Sequence, residues 1–225
     1  MPDKNVSDKR VVMLLGLYGG TFDPVHLGHI HVAHTVQQQL NMQSIRWLLA
    51  ARPGHRATPQ TPIHHRWQML QLVCADEDGF IADDMEIKNP GTSYTLETLL
   101  AMREQHPHAL PCWILGLDAY ATLDEWYRWD EILNYANLIV VERPDESDSA
   151  PVLPPAVVEM ERFHRQAVLK DDAVGQILRL DVPMLPISAT EIRAKLERGE
   201  SVEHLLAPRV SAYISEHQLY AEKAT

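Results

Sequence analysis

Two histidines three residues apart, His26 and His29, stand inside the run Gly-Gly-Thr-Phe-Asp-Pro-Val-His-Leu-Gly-His-Ile at residues 19–30. The spacing predicts a helix starting near Val25, so both rings fall on one face of its first turn. There they lie beside backbone N–H groups that have no intrahelical partner. Imidazoles at a helix N-terminus suit negative charge, phosphate above all. Gly19 and Gly20 let the backbone turn tightly and let a ligand approach it, and Asp23-Pro24 marks the end of the loop. Zinc is the weaker alternative, because the spacings of His29, His31 and His34 scatter their rings and no carboxylate or cysteine completes a set.

A second group lies near the other end, in Ile187-Ser188-Ala189-Thr190-Glu191-Ile192-Arg193. Ser188 and Glu191 have capping-box spacing, so a helix starts here. Thr190 and Arg193 share one face of it, and an arginine beside a helix N-terminus with two hydroxyls makes a second phosphate site.

The elements that must position these groups read as alternating strands and helices. Apolar runs at 11–18, 45–50, 112–115, 138–141 and 177–180 predict strands, with a shorter one at 80–87. Helical spacing follows at 25–40, 63–74 and 96–103, after an N-cap at Thr92, Ser93 or Thr95. Further helices are expected at 119–123, 157–169, 188–198 (stopped by Gly199), 202–206 and 210–219. The near-continuous aliphatics of 138–141 suit a parallel sheet covered on both sides. The fold class is therefore α/β, a Rossmann-like doubly wound parallel sheet with helices on both faces and a small C-terminal helical part at about 188–220. Residues 19–29, 53–56, 116–118, 143 and 188–193 all follow strands, so they converge on one sheet edge, where ligands of open parallel sheets collect.

The 225 residues, 45% hydrophobic, fit one domain over 11–225, with polar residues 1–10 as a disordered tail. A net charge of -11 argues against a nucleic-acid surface, which needs many lysines and arginines. Cys74 and Cys112 have no paired spacing and fit reduced thiols. With no apolar run of membrane length and no signal-like start, a soluble cytoplasmic protein is expected.

With these motifs the chain resembles bacterial nicotinate mononucleotide adenylyltransferases over about 14–219. In order it also carries Pro53-Gly54-His55-Arg56, Pro-Gly-Thr-Ser-Tyr-Thr at 90–95, Gly116-Leu117-Asp118, Trp126-Tyr127 and Arg143-Pro144. Gly54 and Arg56 depart from the family's second proline and frequent lysine, which loosens that loop. The resemblance implies adenylyl transfer from ATP to nicotinate mononucleotide, a step of NAD biosynthesis. It makes His26, His29 and Arg193 catalytic. ATP would lie against Gly19, Gly20, Thr21, Phe22, Gly116, Asp118, Ile187, Ser188 and Thr190 as well as those three. The acceptor would take His55, Arg56, Ser93, Tyr94, Thr95, Trp126, Tyr127 and Arg143, with Trp126 stacked on the pyridine ring and N–H groups near Thr95 and Tyr127 on its carboxylate. Mg²⁺ would come bound mainly to ATP phosphates, with no dedicated protein metal site.

Two rival functions remain. Another nucleotidyltransferase, of the phosphopantetheine or cytidylyl type, would lack the Ser-Tyr-Thr and Trp-Tyr elements. A non-catalytic nucleotide sensor would have lost His26, His29 or Arg193. Homo-oligomerisation is compatible with the sequence.

Overall fold

Along strand β1 (Met13–Gly20) the side chains alternate between two buried layers, Leu15 and Leu17 on one side and Tyr18 on the other. The computed structural model describes residues 13–54, 59, 61–142, 151–170, 173–183 and 185–221; His55, Arg56 and Arg143 lie outside them. After β1 come α1 (Leu27–Gln39), β2 (Ile45–Leu49), α2 (Ile63–Asp76), β3 (Phe80–Asp83), α3 (Met85–Lys88), α4 (Thr95–Gln105), β4 (Ala109–Gly116) and α5 (Leu117–Tyr120). Two 3-10 turns, Leu123–Glu125 and Trp129–Asn134, lead into β5 (Asn137–Glu142), α6 (Pro155–His164), β6 (Arg165–Gln166), β7 (Ile177–Asp181), α7 (Ala189–Glu197) and α8 (Pro208–Glu216).

The seven strands form one sheet in the order β3-β2-β1-β4-β5-β7-β6, with every neighbouring pair parallel. Parallel neighbours require crossovers, and the helices supply them on both faces. Cys112, Ile114, Ile139 and Val141 meet α1, α2, α7 and α8 in one core. Trp113, Leu115, Leu138 and Val140 meet α4, α5 and α6 in the other. This double cover explains the aliphatic strands, and the expected doubly wound, Rossmann-like architecture is what the chain adopts. The winding reverses between β1 and β4, so their carboxyl ends flank the crevice where such folds bind ligands. Among the described residues no helix is long and apolar enough to cross a membrane.

Several local expectations need correction. Helix α1 begins at Leu27, not near Val25, because His26 keeps an extended backbone (φ -144°, ψ 170°) and serves as its N-cap. The stretch 80–87 divides, since the Met85 N–H binds Asp83 Oδ1 at 3.0 Å and starts α3. The N-cap of α4 is Tyr94 rather than Thr92, Ser93 or Thr95, and its side chain makes no capping bond; Ser93 Oγ instead accepts the Arg52 N–H at 3.4 Å. The helix expected at 157–169 stops at His164, where Arg165 and Gln166 are captured by the edge of β7. At 119–123 only the short α5 forms, starting earlier at Leu117, and 202–206 holds one 3-10 turn, Glu203–Leu205.

Candidate active site at the carboxyl edge of the sheet

The loop after β1 is built by close packing. A Cβ on Gly19 would stand 2.6 Å from Cζ2 of Trp113, a ring locked in the core at 4% exposure, so only glycine fits. Phe22 takes a left-handed backbone (φ 45°) that drives its ring inward, where it meets the His29 ring at 5.2 Å. His26 and His29, at the N-cap and the third helical position, stack with centroids 3.7 Å apart. A Cβ on Gly28 would lie 3.0 Å from His26 Nδ1, so the glycine between the histidines makes room for that stack.

The His26 backbone N–H donates to His29 Nδ1 at 3.3 Å, which leaves the proton of a neutral His29 on Nε2. Burial pushes the His26 imidazole down to about 4, and burial together with the neighbouring His26 holds His29 well below the usual histidine range. Both rings are therefore neutral near pH 7. They offer hydrogen-bond donors, not the cations that two imidazoles at a helix N-terminus suggest. The His26 side chain faces the His29 backbone N–H in a capping box, but that N–H donates to the His26 carbonyl at 2.9 Å and Nδ1 of the buried His26 makes no hydrogen bond of its own among the described residues, which suits a ligand that would satisfy it.

A formal positive charge comes from Arg193. Ser188 caps α7, its Oγ accepting the Glu191 N–H at 3.1 Å, as the capping-box spacing predicts. Arg193 then reaches back across the site: Nη1 donates to the Asp23 carbonyl at 2.7 Å and Nη2 to Thr190 Oγ1 at 3.3 Å. The two phosphate motifs, 170 residues apart in sequence, are thus joined directly. Ile187 lies beside them, its carbonyl 3.6 Å from where a Gly28 Cβ would be.

On the other side of the crevice, Pro53 and Ser93 form a parallel bridge and the Ser93 N–H donates to the Arg52 carbonyl at 2.9 Å. The rings of Tyr94 and Tyr127 lie 4.5 Å apart, tilted by 30°, and Tyr127 is 46% exposed. This brings Ser93, Tyr94, Thr95 and Tyr127 together at the start of α4. Trp126 is 8% exposed and packs in the second core, so its face is turned inward while Tyr127 presents a ring to solvent. Gly116 and the exposed Asp118 stand at the end of β4, next to β1.

Sequence inspection missed Arg66. It is 1% exposed, and its guanidinium donates to the carbonyls of Thr61 (3.1 Å), Thr21 (2.9 Å), Ala50 (3.0 Å) and Ala51 (3.3 Å). One side chain thereby ties the loop after β1 to the loop after β2. The signal was available: Arg66 lies three, four and seven residues before the buried Met69, Leu70 and Val73, on the apolar stripe of α2.

The cytidylyltransferase-like family model matches residues 17–195. A relative from Hydrogenovibrio crunogenus, named "probable nicotinate-nucleotide adenylyltransferase", is 37% identical over 92% of this chain and 97% of its own. A second of the same name from Laribacter hongkongensis is 39% identical over 93% and 96%. The Plasmodium falciparum nicotinic acid mononucleotide adenylyltransferase, solved with NaAD, superposes with a TM-score of 0.71 at 18% identity, covering 92% of this chain and 97% of that one.

Proposed function

Because the chain belongs to the cytidylyltransferase-like family, and within it to the nicotinate-nucleotide adenylyltransferases, we propose that its sheet edge transfers the adenylyl group of ATP to nicotinate mononucleotide. The 5'-phosphate oxygen of the acceptor attacks the α-phosphorus, the bond to the β-phosphate oxygen breaks, and pyrophosphate leaves with the electron pair. The products are nicotinate adenine dinucleotide and pyrophosphate, a step of NAD biosynthesis. Such a transfer needs alignment and charge stabilisation rather than a protein nucleophile.

The observation that carries the assignment of roles is the join between the stacked His26/His29 pair and Arg193 through Asp23. His29 Nε2–H and His26 face the α-phosphate region as neutral donors, whose hydrogen bonds strengthen as charge moves toward the leaving group. Arg193, with Ser188 and Thr190, takes the β and γ phosphates. Gly19, Gly20, Thr21, Phe22, Gly116, Asp118 and Ile187 line the rest of the nucleotide. On the acceptor side, Tyr127 and Tyr94 offer the pyridine the ring surface that Trp126 keeps turned into the core, Ser93 lies beside them, and N–H groups near Thr95 and Tyr127 suit its carboxylate. His55, Arg56 and Arg143 follow β2 and β5 in sequence and complete the acceptor set.

The ATP used is the Mg²⁺ complex, whose ion neutralises phosphate charge. Among the described residues no group of three or more His, Cys, Asp or Glu converges on a metal position, and an ion carried on triphosphate oxygens needs none. We read residues 11–225 as one catalytic unit, a reading supported by the strands that the two cores share among the described residues. A net charge of -11 argues against a nucleic-acid partner, and the buried thiols of Cys74 and Cys112, neither in a disulfide, favour a reducing, cytoplasmic setting. With ATP, Mg²⁺ and nicotinate mononucleotide, we expect one dinucleotide per pyrophosphate by chromatography and coupled assay. Pyrophosphate without dinucleotide would mean hydrolysis and would overturn the transfer.

A further inference from the structure

The segment after α8 turns sharply. Gln218 and Tyr220 both hold left-handed backbone, φ 49° and 64°, a conformation that is unfavourable for a non-glycine residue and persists only where its surroundings enforce it. Leu219, between them, packs on the first core. The turn brings the Tyr220 ring to the loop after β1, 197 residues away in sequence, where its hydroxyl donates to Asp23 Oδ1 at 2.7 Å. The side chain of Thr61 meets the same hydroxyl, and the Thr61 carbonyl is held by Arg66. Asp23 is 7% exposed, and its own carbonyl is the acceptor for Arg193 Nη1.

Resting on the adenylyl-transfer assignment, we propose that Tyr220 is a positioning residue for ATP: by holding the Asp23 carboxylate it fixes the carbonyl that presets Arg193 for the phosphate tail. The hydroxyl touches no substrate group in this scheme. Its influence runs through Asp23 to Arg193 and so falls on ATP rather than on the acceptor, whose residues cluster at Ser93, Tyr94 and Tyr127. Without the hydroxyl, a buried carboxylate loses a donor and relaxes toward other partners, taking the loop carbonyl with it.

The full-length chain carrying Tyr220→Phe tests this. Calorimetry is expected to show the ATP dissociation constant, with Mg²⁺, raised about tenfold, the scale of one hydrogen bond to a charged group. The KM for nicotinate mononucleotide is expected to stay within about twofold, and in an Arg193→Ala background Tyr220→Phe is expected to change ATP binding no further, because the two act as one unit. Unchanged ATP affinity, or a full additional effect without Arg193, overturns the proposal. Equal loss for both substrates would mark a merely structural role and overturns it too. A wild-type chain that binds ATP yet makes no dinucleotide fails on the reaction alone, and the binding measurements still decide the role of Tyr220.

Discussion

Replacing His29 by alanine is expected to lower kcat by about 100-fold or more, the usual cost of losing one preorganised transition-state donor. ATP affinity should change far less, because the lost hydrogen bond matters most when charge has moved toward the leaving pyrophosphate. The structure specifies the donor: His29 Nδ1 is occupied by the His26 N–H, so Nε2 carries the proton. Burial sets the pH behaviour. A histidine lowered to about 4, as His26 is, takes up its proton only as pH falls toward that value, and His29 is also held well below its ordinary value. The kcat/KM profile for ATP should accordingly show no inflection from either ring between pH 6 and 8, the range where an unperturbed histidine titrates. A single-turnover rate unchanged in the alanine variant would remove His29 from catalysis.

Arg66→Met is expected to be the most damaging substitution to stability. The guanidinium satisfies four backbone carbonyls, those of Thr21, Ala50, Ala51 and Thr61, and methionine fills similar space with no donor. A buried acceptor left unpaired costs about 1–3 kcal/mol. Relief of the desolvated charge offsets part of that sum, so a net loss of about 4 kcal/mol is expected. In a chain of this size each kcal/mol moves the thermal midpoint by about 2–4 °C, which predicts a fall of about 10 °C in differential scanning calorimetry. A fall below about 3 °C, roughly the effect of 1 kcal/mol, would mean that other groups or water satisfy those carbonyls.

The long strands and the two phosphate motifs were legible because their signals are local and redundant. Leu138, Ile139, Val140 and Val141 are aliphatic on both faces, and Ser188 with Glu191 announces a helix start that the Ser188 Oγ bond to the Glu191 N–H bears out. What escaped the sequence depended on partners far along the chain. Nothing near Arg66 reveals that its acceptors come from two separate loops, and nothing near Tyr220 reveals Asp23. Competition also misled: Ser93 looks like a cap, yet its hydroxyl is taken by the Arg52 N–H. The neutral state of His26 and His29 is likewise a product of tertiary burial, and charge counting along the sequence could not supply it.

A sheet edge that is a two-substrate site built for a pyridine carboxylate must discriminate among acceptors. Initial rates of pyrophosphate release measured side by side with nicotinate mononucleotide, nicotinamide mononucleotide and phosphopantetheine, each with ATP and Mg²⁺, test it most directly. Far faster release is expected with nicotinate mononucleotide than with the other two; equal rates with all three, or none with nicotinate mononucleotide, would overturn the assignment.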